Sequence, residues 1–353
     1  MTLIVLNNMA SYPWSAGDKL NASDLNKVIK FGGDGSDGVL NVTSGTTNID
    51  ASGESVVIKN YTSINVSSGA TLGLTNPAAG GTILILKCTG DVTIAGTIEL
   101  SGDGANLSVS GFGILDTLDH FGQDGGSPTN RTGGLGGVIF LASSQPFYLT
   151  PDSNLLHRKF VVVSCGSGGS TGRHAPDVGG AGGGGGAGGG ALIIECFGAL
   201  DFSGVINVNG EDGTDGVTET AGGSQGGGGG GGGGTAGMAL ILYNSLTANT
   251  GTINAKGGAG GDGGDSTADT GNELGGGGGA GGGSYTHAGY NAGDGNTVSG
   301  NGGNGQNTVN ASGAGGGGGA SCGNNIVNYG GSGGTQGATD PNHYLVAENT
   351  EFA

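Results

Sequence analysis

The chain has 353 residues, of which 90 are glycine and only 7 proline, with 34% hydrophobic and 11% charged residues. Glycine in solid blocks with so little proline excludes collagen, whose crowded axis needs Gly at every third position, and no apolar run approaches the ~18 residues of a membrane span. Lys and Arg number 10 against 28 Asp and Glu, a net charge of −18, which excludes nucleic acid as a partner because that binding depends on cations displacing phosphate counterions.

In chain order, Met1 to Ala10 lack Lys or Arg ahead of their short apolar stretch, so they do not read as a standard signal peptide. Leu25, Val28 and Ile29 fall at helical spacing behind Asn21 or Ser23 as N-cap. This predicts one short helix, in a segment 1–30 that docks or oligomerises. From Phe31 to about residue 110 the pattern becomes strands: VLNVT, TNIDA, SVVIKN, TSINVS, ATLGL, TILILKC, DVTIAG and TIELSG, with polar turns between them. Short Val/Ile/Thr-rich strands at this spacing predict a β-solenoid or β-sandwich. A glycine-rich repeat domain over 111–340 and a tail over 341–353 complete the division.

An internal repeat organises the chain. LILKCTGDVTIAGTIELSGDG (84–104) and LIIECFGALDFSGVINVNGED (192–212) align without a gap, and ALILYNSLTANTGTINAKGG (239–258) is a third copy with one extra residue. Each copy is an apolar strand, a turn, an alternating strand and a Gly-rich excursion. Such units stack because one alone cannot bury its apolar face. The tracts 182–190, 226–234, 275–283 and 315–319 are almost bare glycine. The expectation is a side-by-side bundle of extended, three-per-turn polyglycine-type helices, whose N–H and C=O groups bond between neighbours. The polar segments 168–178, 209–225, 262–274 and 284–310 then read as turns at the tract ends.

Chemistry is sparse. Asp116, Asp119 and His120 could form an acid–base cluster for a glycan, but a solvated turn explains them as well, and the chain reads as no enzyme. GGDGSDGVL (32–40) fits the calcium nonapeptide GGxGxDxUx, yet such sites need consecutive copies, so a Gly/Asp turn is the preferred reading and no metal or cofactor is assigned. Cys88, Cys165 and Cys196 each close an apolar run and read as small buried hydrophobes rather than disulfide partners. Tyr285, His287 and Tyr290 share one inter-tract segment, Arg173 and His174 another, and Tyr329 follows the last tract. Aromatic faces with polar tips suit a binding surface. If the tracts run antiparallel, alternate loops share one end and could gather these groups into one patch.

FGGDGSDGVLNVTSGTTNIDA, with YTSINVSSGATLGL and GDVTIAGTIELSGDGA, resembles the opening of glycine-rich bacteriophage tail proteins. The preceding Trp14, Gly17, Leu20, Ala22, Ser23, Asp24, Leu25 and Asn26 are similar to the N-terminal segment of many phage tail fibre proteins, and the tracts look like those of polyglycine-bundle adhesins. The resemblance implies a virion tail protein, assembled in the host cytoplasm. Its N-terminal residues Trp14, Leu20, Leu25, Val28 and Ile29 would meet other tail proteins in a homotrimer without membrane insertion. Its inter-tract residues Tyr285, His287, Tyr290, Arg173, His174 and Tyr329 would meet a host glycan or outer-membrane protein. A passive fibre or capsid decoration, a glycan-cleaving tailspike and an ice-binding protein are the rival readings. The last needs regularly spaced Thr or Ala, which the tracts lack.

Overall fold

The computed structural model of the protein describes residues 31–105, 113–114, 138–139, 163–165, 181–218, 228–264, 312–314 and 344–348. Among these there is no helix, and the described chain is mostly β; the helix expected within 12–30 lies outside the described residues. The strands are β1 (Gly38–Val42), β2 (Gly45–Asp50), β3 (Val56–Val66), β4 (Ala70–Thr75), β5 (Gly80–Gly81), β6 (Ile83–Cys88), β7 (Val92–Ile94), β8 (Thr97–Glu99) and β9 (Gly104–Ala105). They continue with β10 (Gly113–Ile114), β11 (Val138–Ile139), β12 (Val163–Ser164), β13 (Ala191–Phe202), β14 (Val205–Asn207), β15 (Ala239–Asn249), β16 (Thr252–Asn254), β17 (Ser312–Ala314) and β18 (Tyr344–Glu348).

Two parallel sheets dominate. The first has the order β1-β3-β6-β13-β15-β18, with β7 lying between β3 and β13; the second has the order β16-β14-β8-β4-β2. The chain visits them alternately, β6 and β7 together making one visit to the first. The repeat copies become neighbours: Leu84 pairs with Leu192 and Ile98 with Ile206, while Leu192 pairs with Ala239 and Ile206 with Ile253. A repeat in sequence is thus a stack in space.

Register explains the composition. Leu84, Leu86 and Cys88 of β6 stand beside Leu192, Ile194 and Cys196 of β13, all fully buried. With Leu72, Ile98, Ile206 and Ile253 from the second sheet they form one apolar core between the two sheets. Each such side chain contributes roughly 1.5–3 kcal/mol on burial. A smaller cluster, Ile83, Ile85, Cys165, Ala191 and Leu240, is separate from it. The corner between the sheets fixes two repeat glycines: a Cβ on Gly96 would overlap the Ser67 carbonyl oxygen, and one on Gly204 the Gly96 carbonyl oxygen.

The segments expected as two strands, SVVIKN and TSINVS, are the single strand β3. It runs unbroken because it pairs first with β6 and then with β7, spanning the turn that separates those two. Cys88, Cys165 and Cys196 are buried free thiols, and burial pushes Cys165 and Cys196 up to about 12; Cys322 lies outside the described residues.

Candidate functional site

Four extended segments grow out of the two sheets. Residues 181–190 lead into β13, 208–218 leave β14, 228–237 lead into β15 and 255–264 leave β16. Their backbone hydrogen bonds recur every three residues. The N–H groups of Gly183, Gly186 and Gly189 donate to the carbonyls of Gly229, Gly232 and Thr235 at 2.8–2.9 Å. Those of Gly210, Gly213 and Gly216 donate to Lys256, Ala259 and Asp262. Both pairs run parallel and prolong the pairing of the strands behind them.

The remaining contacts are antiparallel. Glu211, Thr214 and Val217 donate to Ala187, Gly184 and Ala181; Gly228, Gly231 and Gly234 donate to Val217, Thr214 and Glu211; Gly258, Gly261 and Gly264 donate to Gly234, Gly231 and Gly228. A segment bonded to several neighbours at this period satisfies its backbone without forming a sheet. All of 228–237 is buried.

Glycine is required where backbones meet. A Cβ on Gly183, Gly213, Gly231 or Gly261 would overlap the carbonyl oxygen of Thr214, Gly231, Gly184 or Thr214 respectively. This corrects the reading of 209–225 and 262–274 as turns in their entirety. Residues 208–218 and 255–264 run alongside the tracts, with glycine at 210, 213, 216 and at 258, 261, 264. Only the position facing a neighbouring backbone must lack a side chain, so Glu211, Asp212, Thr214 and Asp215 fill the exposed positions. The missed signal was Gly at every third position in a segment otherwise rich in acids.

Side chains on this exposed strip also bond in series. Asn209, Asp212 and Asp215 each accept, through Oδ1, the N–H of Lys256 (2.9 Å), Ala259 (2.6 Å) and Asp262 (2.7 Å). The series begins on the second sheet, where Asn254 Nδ2 donates to Asn207 Oδ1 and Asn207 Nδ2 to Glu99 Oε2. On the same sheet Thr46, Thr71, Thr97, Val205 and Thr252 stand in register. Regular threonines therefore exist, on the sheet rather than on the tracts.

At the junction of sheets and tracts, burial raises Asp103 to about 7, helped by Glu99 and Glu211. The GGDGSDGVL turn is stapled to β3: Asp37 donates its N–H to the Asn60 carbonyl (2.7 Å) and accepts the Asn60 N–H on Oδ2 (2.6 Å). Asp34 Oδ1 accepts the Ser36 N–H. Both carboxylates thus serve the turn itself, and among the described residues no group of three or more His, Cys, Asp and Glu could hold a metal ion.

The far ends of the four segments meet. Val217 donates to Ala181, Gly228 to Val217 and Gly264 to Gly228, so the chain enters or leaves the bundle four times at one end. Arg173, His174, Tyr285, His287, Tyr290 and Tyr329 lie outside the described residues, as do Trp14, Leu20, Leu25, Val28, Ile29, the Asp116, Asp119 and His120 cluster, and the tracts 275–283 and 315–319. No protein-family model, no curated protein and no solved structure matches the chain.

Proposed function

We propose that the protein is a bacteriophage tail fibre or adhesin protein that binds a host-surface receptor through the segments joining its glycine-rich tracts. In this reading the two sheets are coils of a β-solenoid and the tracts are polyglycine-type helices. Residues 1–30 hold the chain to other tail proteins as a homotrimer, and the virion is its location. The observation that carries the reading is the convergence of Ala181, Val217, Gly228 and Gly264 at one end. A rigid scaffold that delivers several connecting segments to one place is where recognition loops concentrate. Arg173 and His174 precede the first of these ends closely in sequence. Tyr285, His287, Tyr290 and Tyr329 supply aromatic and hydrogen-bonding groups for a neutral glycan or an outer-membrane protein loop, while the acidic surface repels phosphate-rich polymers. No catalytic step is assigned.

The test is adsorption of assembled particles carrying Tyr285→Ala with Tyr290→Ala, alongside Arg173→Ala. Weakened adsorption with intact assembly supports the reading, and a truncated anchor tyrosine removes about 2 kcal/mol. Unchanged adsorption by every variant leaves a passive fibre or capsid decoration. The Thr46, Thr71, Thr97 and Thr252 row favours ice binding as a second reading; thermal hysteresis by the purified chain would establish it.

A further inference from the structure

We propose that copies of this chain stack end to end through the open edges of the two parallel sheets. The two ends of the stack are stepped in opposite halves. At one end β18 lies beside β15 only from Ala239 to Tyr243, and on the side away from β13 and β14 no described strand lies beside 245–249 or β16. At the other end β1 lies beside β3 only from Tyr61 to Val66, and β2 is outermost in the second sheet. Tyr61 and Tyr243 belong to the same row, through Cys88 and Cys196. The half that carries an extra strand at one end is therefore the half that lacks it at the other; β1 and β18 overlap only around that row, where Gly38 and Glu348 would share one place and Asp37 bonds Asn60, so the last residues of β18 give way as the ends close into a lap joint.

The exposed groups match this geometry. Leu40, Ile64, Val92, Leu200 and Leu246 form one in-register row. The first four are at most 9% exposed, but Leu246, at the open edge, is 45% exposed. A core row that ends in solvent is an unfinished end of a repeat stack. Continuing the register places a second copy's Leu40 beside Leu246, its Thr46 beside Thr252 and its Asn48 beside Asn254. Both rows of like side chains then continue across the joint. The sequences of the two edges correspond, SGTTN at 44–48 and TGTIN at 250–254.

Charge points to the same occupant. In a chain of net charge −18, neither 38–49 nor 244–254 contains a charged residue or a proline. Those are the devices that ordinarily block strand addition at an edge. These two stretches are neutral, with Asp50 closing β2 and Glu348 closing β18 beside them, and they allow an acidic chain to meet itself where its other surfaces repel. A head-to-tail contact of unlike ends does not close on itself as a two-fold dimer does, and builds a filament or a ring. The inference rests on the sheet ends alone and stands or falls independently of receptor binding.

The experiment uses the full chain with Cys322→Ser, the other cysteines being buried. Thr46→Cys and Thr252→Cys are made singly and together and treated with a short bismaleimide. Mixed single variants are expected to give a dimer that neither gives alone, and the double variant a ladder of multimers. Leu246→Asp in the double variant is expected to lower that yield about tenfold or more, with an unchanged circular dichroism spectrum. A double variant that stays at monomer mass, dimers from one single variant alone, or a ladder indifferent to Leu246→Asp would each overturn the proposal.

Discussion

Lys87 and Glu195 occupy facing positions on adjacent parallel strands and pair at 2.8 Å, with the lysine side chain only 4% exposed. Glu195 Oε2 also accepts the Gly32 N–H at 3.0 Å, so one carboxylate ties the turn before β1 to the middle of the first sheet. Removing one member of a buried pair strands the other without its counter-charge. Lys87→Met is therefore expected to cost about 3 kcal/mol. Lys87→Met with Glu195→Leu should recover part of this, short of full stability because the Gly32 N–H loses its acceptor. Denaturant melts of the three variants measure the coupling; additive losses would mean that the pair contributes nothing jointly.

Alanine placed at different points of the tracts should have opposite effects. A Cβ on Gly231 would overlap the Gly184 carbonyl oxygen, whereas one on Gly184 meets only Thr214 Oγ1, at 3.5 Å. Gly231→Ala is expected to destabilise by more than about 3 kcal/mol, as overpacking against rigid backbone does. Gly184→Ala should be neutral or stabilise by about 0.5 kcal/mol through the unfolded chain. Thermal unfolding distinguishes them, and equal losses would refute the bundle geometry.

The series from Asn209 to Asp215 should be visible in amide exchange. Asp212→Ala removes the acceptor for the Ala259 N–H and Asp215→Ala that for Asp262. Each should speed exchange at its own partner while sparing Gly258, Gly261 and Gly264, whose N–H groups bond to backbone. Faster exchange throughout 255–264 would mean that the side chains hold the whole segment rather than single amides.

Stability should fall as pH rises through neutrality. The Asp103 carboxyl is raised to about 7, first by burial and then by Glu99 and Glu211, above the ~4 of an unfolded chain. The folded state therefore favours the protonated form. Stability from this group is fully present below about pH 4 and lost as pH passes through about 7, an effect on the order of 3 kcal/mol. Asp103→Asn should flatten the pH dependence of the melting midpoint between pH 5 and 8, values chosen to bracket that range. A variant as pH-sensitive as the parent would place the titration elsewhere.

Much of the strand architecture was legible in the sequence, because burial in a parallel stack demands like residues at like positions. Leu84 and Leu192, or Ile98 and Ile206, stand out as a repeat for the same reason that they touch. SVVIKN and TSINVS read as two strands because Asn60 looks like a turn residue, while pairing to two successive strands keeps β3 unbroken. The tract at 182–190 and, within 226–234, residues 228–234 were legible from bare glycine. Their partners were not, since Glu211, Asp212 and Asp215 hide the spacing of Gly210, Gly213 and Gly216. The charge and hydrogen-bonding partners of Asp103 and Glu195 depend on chain segments brought together from far apart and leave no local trace.

The three-residue period gives the bundle a property of length. Inserting one Gly-x-x triplet into 208–218 and another into 228–237 preserves every facing position in both segments, since their backbone bonds recur every three residues. The segment between them would move outward by about 9 Å per triplet, with the register of β14 and β15 untouched. Insertions of one or two residues would turn side chains into neighbouring backbones. Reach can thus be altered in quantised steps, while the sheets that anchor it need not change at all.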